Sequence, residues 1–91
     1  MRMKPRKAVL VTNFREDLTY WIETERRMAL RIMRLIEAVL SDPFEGIGKP
    51  EPLKHEQPNT WSRRIDEEHR LVYVVYDNEI HFISGRYHYQ K

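Results

Sequence analysis

The stretch Arg70-Leu-Val-Tyr-Val-Val-Tyr-Asp-Asn-Glu-Ile-His-Phe-Ile-Ser-Gly-Arg-Tyr87 decides the fold. Its first seven residues, Arg70 to Tyr76, are β-branched and aromatic, and so is much of Glu79 to Tyr87. Such residues suit a pleated, half-buried surface. Asp77-Asn78 between them is a two-residue hairpin turn, so the two runs predict neighbouring antiparallel strands. Trp61 to Ile65, just upstream, reads as a third strand.

The N-terminal half follows a different period. Arg6 to Thr12 is a short β-branched run and predicts a strand, and Asn13 with Glu16 three residues on has the spacing of a capping box. Phe14, Leu18, Trp21 and Ile22 then recur at helical intervals, as do Met28, Ile32, Leu35, Ile36 and Val39. These rows are read as core. Thr24 marks the break between two helices, and Pro43 stops the second because proline cannot continue a helix interior. The expected fold is a compact α+β domain in the order β-α-α-β-β-β, an antiparallel sheet covered by two N-terminal helices, with residues 1–91 forming one domain. Pro43 to Asn59 holds four of the five prolines and two of the three glycines. It is a long connection for a chain of this size, and long ordered connections often carry function.

Composition narrows the chemistry. With no cysteine in 91 residues, disulfides, thiolate metal sites and cysteine nucleophiles are excluded, which fits a reducing cytoplasm. No apolar run suits a signal peptide or a membrane span, so a cytoplasmic protein without membrane contact is expected. Sixteen Lys and Arg against fourteen Asp and Glu give a net charge of only +2. Residues 1–45 hold nine basic and seven acidic groups and residues 46–91 hold seven of each, so any nucleic-acid surface must be a local patch. Arg27, Arg31 and Arg34 share one face of the second helix, either as a solvated face or as a ridge that contacts phosphate. His55, His69 and His81 have no metal-ligand spacing and are read as non-ligands. No metal or cofactor is expected.

The closing Arg86-Tyr87-His88-Tyr89 puts a cation, an imidazole and phenols within four residues, a set suited to binding phosphate, protonating a leaving oxygen and stacking a base. Two further strings stand with it: Gly48-Lys-Pro-Glu-Pro-Leu-Lys-His55 and Trp61-Ser-Arg-Arg-Ile-Asp-Glu-Glu-His-Arg-Leu-Val-Tyr-Val-Val75. Together, and with Tyr20-Trp21 and Glu23-Thr24, they closely resemble the YoeB branch of the RelE superfamily of toxin–antitoxin ribonucleases. The resemblance implies a microbial-RNase-like domain and a ribosome-dependent, metal-independent endoribonuclease that cuts mRNA in the ribosomal A site and inhibits translation.

Carried over residue by residue, the resemblance makes Glu51 the general base, Arg70 the transition-state stabiliser and His88 the general acid, with Tyr89 placing the scissile nucleotide. Lys49, Lys54, Arg63, Arg64 and Arg86 become candidate RNA contacts; as isolated residues, the first four are equally readable as solvated charges. Implied partners are a YefM-like antitoxin, the bacterial 70S ribosome with A-site mRNA, and operator DNA through the antitoxin alone. The sequence does not decide between monomer and homodimer. Two departures from the family pattern are expected to matter little for these groups: Met1 to Pro5 precede the first strand and should fray, and Gln90-Lys91 follow the closing tyrosine, which puts any role of a terminal carboxylate in doubt. The competing reading is a ParE-like toxin that binds DNA gyrase without chemistry. It would need no acid–base pair.

Overall fold

The computed structural model describes residues 5–87. β1 (Lys7–Leu10) is followed by two helices, α1 (Thr12–Thr24) and α2 (Arg26–Ser41), then by β2 (Glu51–Pro52), β3 (Thr60–Arg64), β4 (Arg70–Val75) and β5 (Glu79–Ser84). The strands form one five-stranded sheet in the order β1-β5-β4-β3-β2. Strands β2 to β5 pair antiparallel, as the hairpin signal predicts, with Tyr76 N–H bonded to the Glu79 carbonyl across the turn. β1 is different: it runs parallel to β5, Lys7 opposite Glu79 and Leu10 opposite Phe82, so the sheet is mixed. No hairpin joins these two strands, and the chain between them crosses over through both helices, so nothing local forces them to oppose.

Both helices lay their apolar rows on one face of the sheet. Phe14 and Trp21 of α1 and Met28, Ile32, Leu35, Ile36 and Val39 of α2 are buried against Leu71, Tyr73, Val75, Ile80 and Phe82. Ile22 leaves the expected row and is half exposed. The break falls at Thr24, where Glu25 takes extended angles and ends one helix as it starts the next. The expected cap at Asn13 is not made. Val11 occupies the N-cap with no side-chain bond, and the Asn13 amide instead donates to the Ile83 carbonyl at 3.0 Å, tying α1 to β5. At the other end Asp42 closes α2, and its carboxylate accepts from the Phe44 and Glu45 amides beyond Pro43.

The connection after α2 is held from inside. Arg63 is fully buried, and its guanidinium donates to the carbonyls of Asp42, Glu45 and Ile47 and to the Tyr73 hydroxyl. Tyr73 in turn donates to the Pro43 carbonyl at 2.6 Å. Gly48 sits at φ +86°, which strains any residue with a Cβ, and a Cβ there would also press within 3.2 Å of the Arg64 carbonyl, so glycine is favoured. Its carbonyl accepts from Arg64 N–H at 2.6 Å. Thus the loop reaches Glu51 already fixed against β3. Among the described residues, no helix is long and apolar enough to cross a membrane.

Candidate active site

Side chains alternate along a strand, so Leu71 and Tyr73 face the helices while Arg70 and Val72 face the other way. On that second face Glu51 of β2 lies opposite Ser62 of β3, and Ser62 lies opposite Val72 of β4. Three adjacent strands therefore bring Glu51, Ser62 and Arg70 together. The Arg70 guanidinium donates through Nη1 to Glu51 Oε1 at 2.9 Å and to Ser62 Oγ at 3.2 Å. β2 is an edge strand, which is why it tolerates Pro52: no ladder bond is lost by the missing N–H. The Glu51 side chain is 57% exposed and that of Arg70 17%. One group is open to solvent; the other is anchored.

The end of β5 returns to the same place. Gly85 donates to Asp17 Oδ2 at 2.9 Å and accepts from Trp21 Nε1 at 2.8 Å. Tyr87 then turns into the left-handed region, φ +60°, costly for a residue with a Cβ. Its N–H donates to His69 Nδ1 at 2.6 Å and its carbonyl accepts from the Arg70 N–H at 3.1 Å. The described chain ends one peptide bond from that contact. His88 and Tyr89, expected as general acid and nucleotide-placing phenol, lie outside the described residues.

The expected RNA contacts separate into three groups. Lys49, Lys54 and Arg64 are exposed, and Arg64 pairs in register with Arg70, which sets it beside the Glu51–Arg70 pair; Lys49 and Lys54 flank Glu51 in the chain. Arg86 is partly buried, with its guanidinium 3.5 Å over the Tyr20 ring and 5.0 Å from that of Tyr87. Arg63 is a correction: it has no exposed surface and serves the loop, because β3 alternation sets it on the core side between Trp61 and Ile65. That signal was in the sequence, since apolar residues two positions either side mark the buried face. Ser62, Asp17 and His69 also hold the site together and were missed; a serine, an aspartate and a histidine carry no pattern that separates such roles from ordinary surface.

The α2 cations are solvated in part. Arg27 pairs with Glu25 at 2.6 Å, and that hydrogen-bonded carboxylate raises the guanidinium above its ordinary value. Arg31 donates to the Ile65 and Arg64 carbonyls. Burial raises the Tyr73 hydroxyl above its ordinary value, while the bond from Arg63 works in the opposite direction.

A carboxylate and a guanidinium in contact on an open face can together take a proton and hold a phosphate. A family model described as a YoeB-like toxin of bacterial type II toxin–antitoxin systems matches residues 11–89. The chain belongs to this YoeB-like family. It is 54% identical to toxin YoeB of Mycobacterium bovis over 74 residues, 81% of this chain and 87% of the relative. Toxin YoeB of Escherichia coli is 53% identical over 74 residues, 81% of this chain and 88% of that one. Among solved structures, a YoeB dimer from Staphylococcus aureus superposes with a TM-score of 0.86 at 38% identity, covering 94% of this chain and all of that one. YoeB–YefM complexes from the same organism superpose at 0.81. The YafQ toxin in an E. coli DinJ–YafQ complex, at 14% identity and a TM-score of 0.81, shares the fold. The sequence-level resemblance to YoeB is thus the family of the chain.

Proposed function

We propose that this YoeB-family toxin is a metal-independent endoribonuclease that cleaves mRNA in the A site of the bacterial ribosome. The observation that carries the reading is the Glu51–Arg70 contact at 2.9 Å, in which the carboxylate stays open to solvent. Glu51 takes the proton from a ribose 2′-OH, and O2′ forms a bond to the adjacent phosphorus. The P–O5′ bond breaks, and His88 supplies the proton to O5′. The products are a 2′,3′-cyclic phosphate and a 5′-OH end. Arg70, with five N–H donors of which Nη1 alone bonds Glu51 and Ser62 among the described residues, stabilises the extra negative charge on the phosphate oxygens. His88 follows directly on Tyr87, whose carbonyl bonds the Arg70 amide, and this supports an acid at the same centre. Tyr89 helps to orient the scissile nucleotide.

A small patch of exposed cations suits an enzyme that leaves much of substrate positioning to the ribosome. The S. aureus structures of a YoeB dimer and of YoeB with YefM support two further parts of the proposal: a YefM-like antitoxin that covers the C-terminal site, and self-association. Operator DNA is contacted through the antitoxin, and the toxin acts in the cytoplasm.

Primer-extension mapping of a defined mRNA on purified bacterial ribosomes with an occupied P site tests this. Wild type should cut within the A-site codon, only when ribosomes are present. His88→Ala should lower the rate about 10²–10⁴-fold, roughly 3–5 kcal/mol of barrier. Equal cutting of naked mRNA would make it a free ribonuclease, and no cutting by folded wild type would turn attention to gyrase binding.

A further inference from the structure

We propose that His69 is a positioning residue for the C-terminal acid, acting through its Nδ1 as the acceptor that sets the backbone of Tyr87. This rests on the cleavage reading above and names a group that the reading does not use. His69 lies in the turn between β3 and β4 and is 7% exposed. Its backbone is fixed twice over: Asp66 Oδ1 accepts from its N–H at 2.7 Å, and its carbonyl accepts from the Ile65 N–H at 2.9 Å. The ring stands edge-on to Trp21 with centroids 4.8 Å apart. Trp21 is itself the donor to the Gly85 carbonyl, so one packed pair grips the tail at two points.

The donor in the 2.6 Å contact is a backbone N–H and has no alternative role, so Nδ1 must be the bare, accepting nitrogen. The hydrogen then sits on Nε2, which lies 3.6 Å from Glu68 Oε1. Tyr87 is held at φ +60° while its carbonyl engages the Arg70 amide. Left-handed backbone at a tyrosine relaxes readily once its anchors are removed. Without the acceptor, the direction in which the chain leaves Tyr87 is no longer set against Arg70, and a displacement of about 1 Å at a reacting group costs on the order of 10²-fold in rate.

Three variants separate acceptor from bulk. Asn carries its amide oxygen at the position of Nδ1, Gln carries it one bond further out near Nε2, and Phe keeps a ring against Trp21 with no acceptor. The readouts are single-turnover cleavage on saturating ribosomes, ribosome affinity, and hydrogen exchange at the Tyr87 amide. The expected result is that His69→Phe and His69→Gln cut about 10–100-fold more slowly with unchanged ribosome affinity and lose Tyr87 protection, whereas His69→Asn stays near wild type in both. Wild-type rates in His69→Phe, or equal damage in Asn and Phe, would overturn the proposal. The exchange readout needs no activity: protection that depends on the acceptor in a non-cleaving wild type would overturn the enzyme reading and the acid's role with it. A Tyr87 amide as exposed in wild type as in His69→Phe would overturn the clamp itself.

Discussion

The Glu51–Arg70 contact involves a carboxylate that water still reaches over more than half its surface. An ion pair so placed contributes only about 0–1 kcal/mol to folding. Glu51→Gln should therefore unfold in urea within about 1 kcal/mol of wild type. It should nonetheless cleave A-site mRNA about 10²–10⁴-fold more slowly if the carboxylate is the base. A variant that loses stability and activity in proportion would contradict that role. Arg63 should behave in the opposite way. Truncating it strips donors from the Asp42, Glu45 and Ile47 carbonyls and from the Tyr73 hydroxyl in a part-buried setting. Arg63→Ala should cost roughly 3 kcal/mol in urea unfolding. Two adjacent arginines in Trp61-Ser-Arg-Arg-Ile65 thus have unlike fates, and period-two alternation was enough to tell them apart. The Glu51–Arg70 meeting was not legible in that way. It depends on three strands lying side by side, and no local spacing encodes the contact between residues nineteen apart.

Elements were legible where a period ran long enough. The α2 row from Met28 to Val39 spans three turns, and every member of it is buried. The β4–β5 hairpin followed from a turn flanked by β-branched runs. β2 was not legible, since two residues carry no period and one of them is proline. The direction of β1 was equally hidden: the four residues Lys7 to Leu10 carry no directional signal, and the strand runs parallel to β5 only because the chain between them crosses over through both helices. The Asn13 cap failed because the helix starts one residue before it, with Val11 at the N-cap, so Asn13 lies in the first turn and its amide donates instead to the Ile83 carbonyl seventy residues away. Tertiary contacts also set the pH response of the α2–β2 loop. Burial raises the Tyr73 hydroxyl above its unfolded value, so its protonated form belongs to the folded state. The stability it contributes is fully present below the unfolded value of about 10 and is lost as pH rises through the folded one. Urea midpoints followed from pH 8 upward should fall for wild type beyond about pH 10. Tyr73→Phe, weaker at pH 8 by about 1–3 kcal/mol from lost bonds to Pro43 and Arg63, should fall less steeply. A parallel decline in both proteins would show that Tyr73 does not couple the loop to pH.

At the scale of the molecule, the net charge of +2 provides no long-range field to gather RNA. Of the cations expected to touch RNA, Lys49, Lys54 and Arg64 are exposed among the described residues, while Arg63 is buried and Arg86 is stacked on Tyr20. Each phosphate neutralised on a single strand contributes about −0.7 to the slope of log affinity against log salt. Three exposed cations then predict a slope of about −2 for free single-stranded RNA, far too shallow for tight binding at cellular salt. This is the physical ground for the proposed ribosome dependence, in which the particle that holds the mRNA supplies the affinity. Fluorescence anisotropy with a short unstructured RNA over a salt series checks it. Lys49→Gln, Lys54→Gln and Arg64→Gln should each flatten the slope by about 0.7. Arg63→Gln, measured at a temperature where it is folded, should leave the slope unchanged, because the guanidinium it removes is buried. If Arg63→Gln flattened the line as the others do, the buried guanidinium would have to leave its carbonyls to meet RNA, and the fixed loop that presents Glu51 would be wrong. A slope of −5 or steeper in wild type would require a second basic surface, and the Arg27, Arg31 and Arg34 face of α2 would be the place to find it.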